Sequence, residues 1–220
     1  MFITFLLLML AATLALFSFT RLEVEKIERH HYLQRANFFV AHPIQPRDIV
    51  FLGDSITAGA NWDEIFPGLP VINRGIMADT TEGLLSRLDF VTHGNPAAIF
   101  ILIGTNDLAW FMYRHDEMIL GTYAEILEKI QQDSPETKVF VQSLLPRAHS
   151  FAKRIRLFNP RLKGLAESMG CTFIDLYPHF ASQKGDLLSD FNNDHLHLLA
   201  SGYACWKEIL TPYIDQCRTQ

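Results

Sequence analysis

Short apolar, β-branched runs at residues 48–53, 71–76, 97–103, 138–145 and 171–177 alternate with segments of helical period. No other feature constrains the fold of this chain as much. Successive side chains on a strand point to opposite faces, so an unbroken apolar run means a strand covered on both sides. Between the runs, Leu84, Leu85, Leu88 and Val91 recur on one helical face, as do Ile119, Tyr123, Ile126 and Ile130, and then Ile155, Leu162, Leu165 and Met169. Asp79 with Glu82 reads as a capping box for the first of these helices, Ser201 as the cap of the last helix, and Asn159-Pro160 as a fresh N-cap or a kink. Strands alternating with helices are βαβ units, whose crossovers place helices on both faces of a parallel sheet. The expectation is an α/β domain over residues 46–220, a three-layer α/β/α sandwich around a five-stranded parallel sheet. At 220 residues and 49% hydrophobic composition the chain can bury one such core.

In a sheet of this kind, ligands gather beyond the carboxyl ends of the strands. The first run stops at Gly53-Asp54-Ser55, the second at Asn73-Arg74-Gly75, and the third at Gly104-Thr105-Asn106-Asp107, while "DHLHL" with Asp194 and His197 follows the fifth. A glycine turn would leave Ser55 exposed at the start of a helix. A serine hydroxyl attacks well only when a base takes its proton, and His197 is the candidate base. Asp194, three residues earlier, could hold the imidazole through its other nitrogen. The Ser55 N–H, the Gly75 N–H and the Asn106 amide are candidate donors to an oxyanion. This is the inventory of acyl transfer. Asp54 reads as a tie from the turn to nearby backbone N–H groups, with substrate contact as its other possible role. Asp107 is expected to brace the Asn106 loop, and Asp175 to sit as a fixed polar group near the sheet end. "LAWFMYRH", with Trp110 and Phe111, serves equally well as packing or as an acyl-binding lip.

At these residues the sequence resembles the SGNH hydrolases, the GDSL lipase/esterase group named for Ser, Gly, Asn and His in separate blocks. "GDSIT" matches the first block with Ser55, "NRGI" the second with Gly75, "GTND" the third with Gly104 and Asn106, and "DHLHL" the last with Asp194 and His197. "WDEIFPGLPVINRGI", "TTEGLLSRL" and "FIDLYPHF" are similar to the platelet-activating-factor-acetylhydrolase-like branch. The resemblance covers roughly residues 46–210 and implies a flavodoxin-like SGNH fold. His195 departs from that branch, which commonly has glycine there; it could perturb the loop or line the pocket.

The N-terminus stands apart. "MFITFLLLMLAATLALFSFT", residues 1–20, carries no charged side chain and is long enough for a transmembrane helix. It reads as a single-pass anchor, or alternatively as a signal segment whose cleavage would release a secreted protein. Arg21, Lys26, Arg29 and Arg35 would hold its flank in the cytoplasm by the positive-inside rule, whereas an apolar N-terminal segment commonly serves export. The export reading puts the domain outside the cytoplasm. Residues 21–45 read as a helical stalk, with His30 and His31 solvated because neighbours on a helix point ~100° apart.

A net charge of -5 with no basic block speaks against a nucleic-acid partner. Cys171, Cys205 and Cys217 have no metal-ligand spacing, and no metal or organic cofactor is required. The basic stretch at 146–156 reads as a solvated helix face, or as a contact for anionic headgroups. The expected function is a serine esterase acting on acyl or acetyl esters of a small molecule, glycan or lipid. Its alternatives are an O-acyltransferase on the same machinery and an inactive membrane-tethered binding module.

Overall fold

The computed structural model describes the backbone of residues 2–109 and 114–217; on the first helix, the side chains of residues 2–8, 10–12, 14, 15, 17 and 24 lie outside the description. The chain runs α1 (Phe2–Ala41), β1 (Ile49–Gly53), α2 (Ser55–Ala58), α3 (Trp62–Ile65), β2 (Val71–Gly75), α4 (Thr81–Ser86) and α5 (Asp89–Thr92). It continues with β3 (Ala98–Leu102), α6 (Asp116–Asp133), β4 (Lys138–Gln142), α7 (His149–Ser168), β5 (Thr172–Ile174), α8 (Tyr177–Phe180) and α9 (Ala200–Asp215). Each of the five expected apolar runs contains one strand, and all neighbouring strands pair in parallel.

The strand order is β2-β1-β3-β4-β5, so the direction of winding reverses between β1 and β3, where a crevice opens in doubly wound sheets. The period of two divides the strand residues between two cores. Val50, Leu52, Ile99 and Ile101 pack with Leu84 and Leu88, with Ile119 and Tyr123 of α6, and with Ile155 and Leu162 of α7. On the other face, Ile49, Phe51 and Phe100 meet Trp62, Phe66, Trp206 and Leu210. The Phe51 ring stacks on Trp62 at 3.7 Å, and Trp206 closes edge-on to Trp62 at 5.0 Å. The fold is the expected three-layer α/β/α sandwich.

Local signals fared less evenly. Thr80, not Asp79, caps α4 by accepting from the Gly83 N–H, because Asp79 is drawn into a buried ion pair with Arg87 at 2.7 Å. Helix α7 continues through Asn159-Pro160 with no fresh start there; the Asn159 amide both accepts from Leu144 N–H and donates to Leu144 O. Ser201 lies inside α9, with its hydroxyl on Asp190 O. Asp175 is exposed.

The single-pass anchor expected over residues 1–20 is corrected: among the described residues, no helix is long and apolar enough to cross a membrane. The N-terminal run does not stop before the charged residues. It is the first half of one continuous helix whose second half carries the charged residues from Arg21 to Arg35, and most side chains of the run itself lie outside those described. That second half packs on the domain. Phe39 is buried beneath Arg35 and Arg74, and the Tyr32 hydroxyl donates to Gly83 O at 3.2 Å.

Candidate active site

Strand β1 ends where glycine is obligatory. A Cβ on Gly53 would stand 2.2 Å from Leu102 O and 2.3 Å from Thr57 Oγ1, so only glycine lets α2 start this close to β3. Asp54 caps α2 by accepting from Ile56 N–H at 3.0 Å. It is fully buried and therefore serves the turn rather than a substrate surface. Burial lifts its carboxyl to about 7; the Ile56 N–H and Arg147 oppose the shift, while the Asp79 and Asp107 charges add to it. Helix α2 is fastened at its far end by the Asn73 amide, which donates to the carbonyls of Thr57, Ala58 and Ala60. Tyr203 of α9 adds a bond to Ile56 O at 2.8 Å.

This frame presents Ser55 to the loop before α9. His197 Nε2 lies 3.0 Å from Ser55 Oγ, and His197 Nδ1 lies 2.6 Å from Asp194 Oδ2. A carboxylate only accepts, so Nδ1 carries the ring proton and Nε2 accepts from the serine hydroxyl. Asp194 Oδ1 accepts the N–H groups of Leu196 and His197 at 2.9 and 2.8 Å. Partial burial opposes its charge, but these bonds and that from the His197 ring outweigh it, and the carboxyl is held below its usual range.

Ser55, Asn106 and His197 line one cavity of about 330 Å³. The Asn106 amide donates to Asp79 O at 2.8 Å, which fixes its plane and leaves its second N–H for the cavity. Asp107 behind it is buried and braces the loop against α4, accepting from Thr81 N–H at 3.1 Å and Thr81 Oγ1 at 2.7 Å. The second block differs from the expectation. Gly75 N–H already donates to Asn73 Oδ1 at 2.9 Å, and Gly75 is the point where β2 touches α2: a Cβ there would meet Ala58 N at 2.3 Å. The residues of this loop that reach the cavity wall beside Ser55 are Met77 and Ala78, the latter held at φ 58°. A glycine would have advertised such a turn; alanine hides it, and sequence reasoning passed it over.

His195 is exposed at φ 62°, its N–H on Asn192 Oδ1 at 2.7 Å, and it does not line the cavity. The left-handed backbone explains why glycine suits the position. Trp110 and Phe111 lie outside the described residues. His31, expected to be solvated, is half-buried and lines the cavity, its Nδ1 without a partner among the described residues. In the basic stretch, Arg147 donates to Thr105 O, and Arg154 pairs with Asp116. Among the described residues, no group of three His, Cys, Asp or Glu side chains could hold a metal ion.

Residues 51–205 match the GDSL-like Lipase/Acylhydrolase family. The chain belongs to that family. Its GDSL relatives include platelet-activating factor acetylhydrolase IB subunit alpha1 of Pongo abelii, 30% identical over 169 residues that cover 71% of each chain. The Homo sapiens protein of the same name is 29% identical over 167 residues, 71% of this chain and 70% of that one. A GDSL-like lipase from Bacteroides thetaiotaomicron superposes with a TM-score of 0.75 over 84% of this chain and 97% of its own; at 24% identity it speaks for the fold. As a GDSL-family member, the protein is a carboxylic ester hydrolase.

Proposed function

We propose that the protein is a serine esterase that cleaves short acyl esters through an acyl-enzyme on Ser55, with His197 as general base and acid and Asp194 as its orienting carboxylate. The observation that carries this reading is the unbroken hydrogen-bonded series from Asp194 through His197 to Ser55, at 2.6 and 3.0 Å. As Ser55 Oγ attacks the ester carbonyl carbon, its proton passes to His197 Nε2. The imidazolium is stabilised by Asp194, which stays ionised. The tetrahedral oxyanion takes N–H donors from Ser55, Ala78 and the Asn106 amide. This replaces Gly75, whose N–H is engaged, with a residue of the same loop that lines the cavity. Collapse breaks the C–O bond, and the departing alcohol takes the proton from His197. Water then attacks the acyl-enzyme, gives its proton to His197 and frees the acid, while Ser55 recovers its hydrogen.

The relatives' name, an acetylhydrolase, and a cavity of about 330 Å³ both support a small acyl group. The catalytic unit is taken as residues 46–220, with the second half of α1 as an adjoining part. A chain-length series of p-nitrophenyl esters tests the reading. Turnover should be greatest for acetyl and fall with length, and a fluorophosphonate should label Ser55 alone. Turnover that persists after Ser55→Ala would overturn it.

A further inference from the structure

Asn106 lies in the turn beyond β3, where no strand ladder fixes the backbone. From the α4 side the turn is tied through side chains: Asn106 donates to Asp79 O, and Asp107 accepts from Thr81. From the β4 side the tie is Arg147. Its Nη1 donates to Thr105 O at 2.8 Å, and that carbonyl shares one planar peptide with the Asn106 N–H. Holding the Thr105 carbonyl therefore sets the backbone from which the Asn106 amide projects.

Arg147 is itself built in. Its guanidinium carbon lies 4.1 Å from the centroid of the Phe151 ring on α7, a stack that suits a planar cation better than an ammonium. Its main-chain carbonyl accepts Leu187 N–H at 3.0 Å. From there Asn192 donates to the carbonyls of Leu187 and Leu188 and accepts His195 N–H. One residue thus joins the Asn106 turn to the segment that carries Asp194 and His197. The fit leaves polar atoms unspent: Arg147 Nε and Thr105 Oγ1 are both buried with no partner among the described residues. Burial pulls the guanidinium below its ordinary range, while the charges of Asp54 and then Asp194 pull it back up. A half-buried cation with an unspent donor is a poor choice for stability alone.

We propose that Arg147 is a positioning residue of the esterase, which clamps the Thr105–Asn106 peptide so that the Asn106 amide meets the oxyanion. The proposal rests on the esterase reading above and adds to it a residue outside the cavity lining. A transition-state donor must be placed to a fraction of an ångström, and a shift of ~1 Å can cost about a hundredfold in rate.

The test is a double-mutant cycle on the full chain with p-nitrophenyl acetate. Arg147→Met keeps an unbranched side chain against Phe151 and removes the N–H groups, and the main-chain bond to Leu187 survives it. kcat should fall by about tenfold to a hundredfold with KM little changed, as for a misplaced transition-state donor. In an Asn106→Ala background the same substitution should cost about twofold or less, within the scatter of such cycles. Arg147→Lys should recover only part of kcat, because an ammonium lacks the planar fork. Circular dichroism checks that each variant folds; should Arg147→Met fail, Arg147→Lys is carried through the same cycle. An equal loss in both backgrounds would show that Arg147 supports the fold and not Asn106. A loss confined to KM would move it to substrate binding. Either result overturns the proposal, as does an unchanged kcat. A wild type no faster than Ser55→Ala sinks the esterase reading and the proposal with it, whereas an active wild type whose kcat ignores Arg147 sinks the proposal alone.

Discussion

His197 Nε2 and Ser55 Oγ stand 3.0 Å apart although 142 residues separate them in the chain. One partner is held by a glycine turn at the end of β1, and the other by a loop whose carboxylate, Asp194, grips both the ring and the backbone N–H of His197. Ser55→Ala removes only the hydroxyl from this pair. Esterase turnover should fall by ~10⁶ in kcat, as for the loss of a triad nucleophile, with Tm unchanged. Turnover within tenfold of wild type would refute the assignment.

The two histidines of "DHLHL" should behave in opposite ways. His197→Ala should lose activity by orders of magnitude. His195→Gly should keep it and gain about 0.5–1 kcal/mol, since glycine accepts a left-handed backbone that other residues resist; the backbone there sits at φ 62°. Kinetics and urea unfolding of both variants check this, and the reverse activity ranking would move the base to His195.

Asn106→Ala should lower kcat by about 10²–10³ with little change in KM, because the donor acts on charge that develops only in the transition state. An equal rise in KM with kcat intact would assign Asn106 to ground-state binding instead.

Gly75→Ala should destabilise the fold by about 3 kcal/mol, at the upper end of the usual cost of overpacking. Its Cβ would meet Ala58 N, Ala58 Cα and Asp54 O at 2.3, 2.7 and 2.8 Å, all of them backbone. Urea unfolding that matches wild type would show that β2 and α2 can separate at no cost.

Asp54 makes stability depend on pH. Its carboxyl titrates near 7 in the folded protein and near ~4 in the unfolded chain. The folded state therefore holds the extra proton between these values. The neutral acid's contribution is complete below pH ~4 and is lost as pH rises through about 7. Asp54→Asn keeps an oxygen for the Ile56 N–H and removes the titration. Its unfolding free energy should fall less than that of wild type between pH 4.5 and 7.5; parallel curves would rule out Asp54 as the titrating group.

The sequence alone determined the strands, the main helices and the loops in which chemistry gathers. Apolar periodicity is a local property, and burial on two faces or one leaves its mark residue by residue. Ser55, Asn106, Asp194 and His197 were legible for the same reason, since each falls just beyond a strand or in a short spaced pattern. The tertiary structure decided which groups remain available. Asp79 looks like a cap until Arg87 arrives from eight residues on, and Gly75 looks like a donor until the Asn73 amide takes its N–H. Ala78 gains its place only because the loop turns left-handed there, and His31 meets the cavity only because the second half of α1 lies against the domain beside β2. Hydrogen-bond partners and cavity walls depend on long-range register, such as Gly53 opposite Gly75 and Leu102, which no local pattern in the chain encodes.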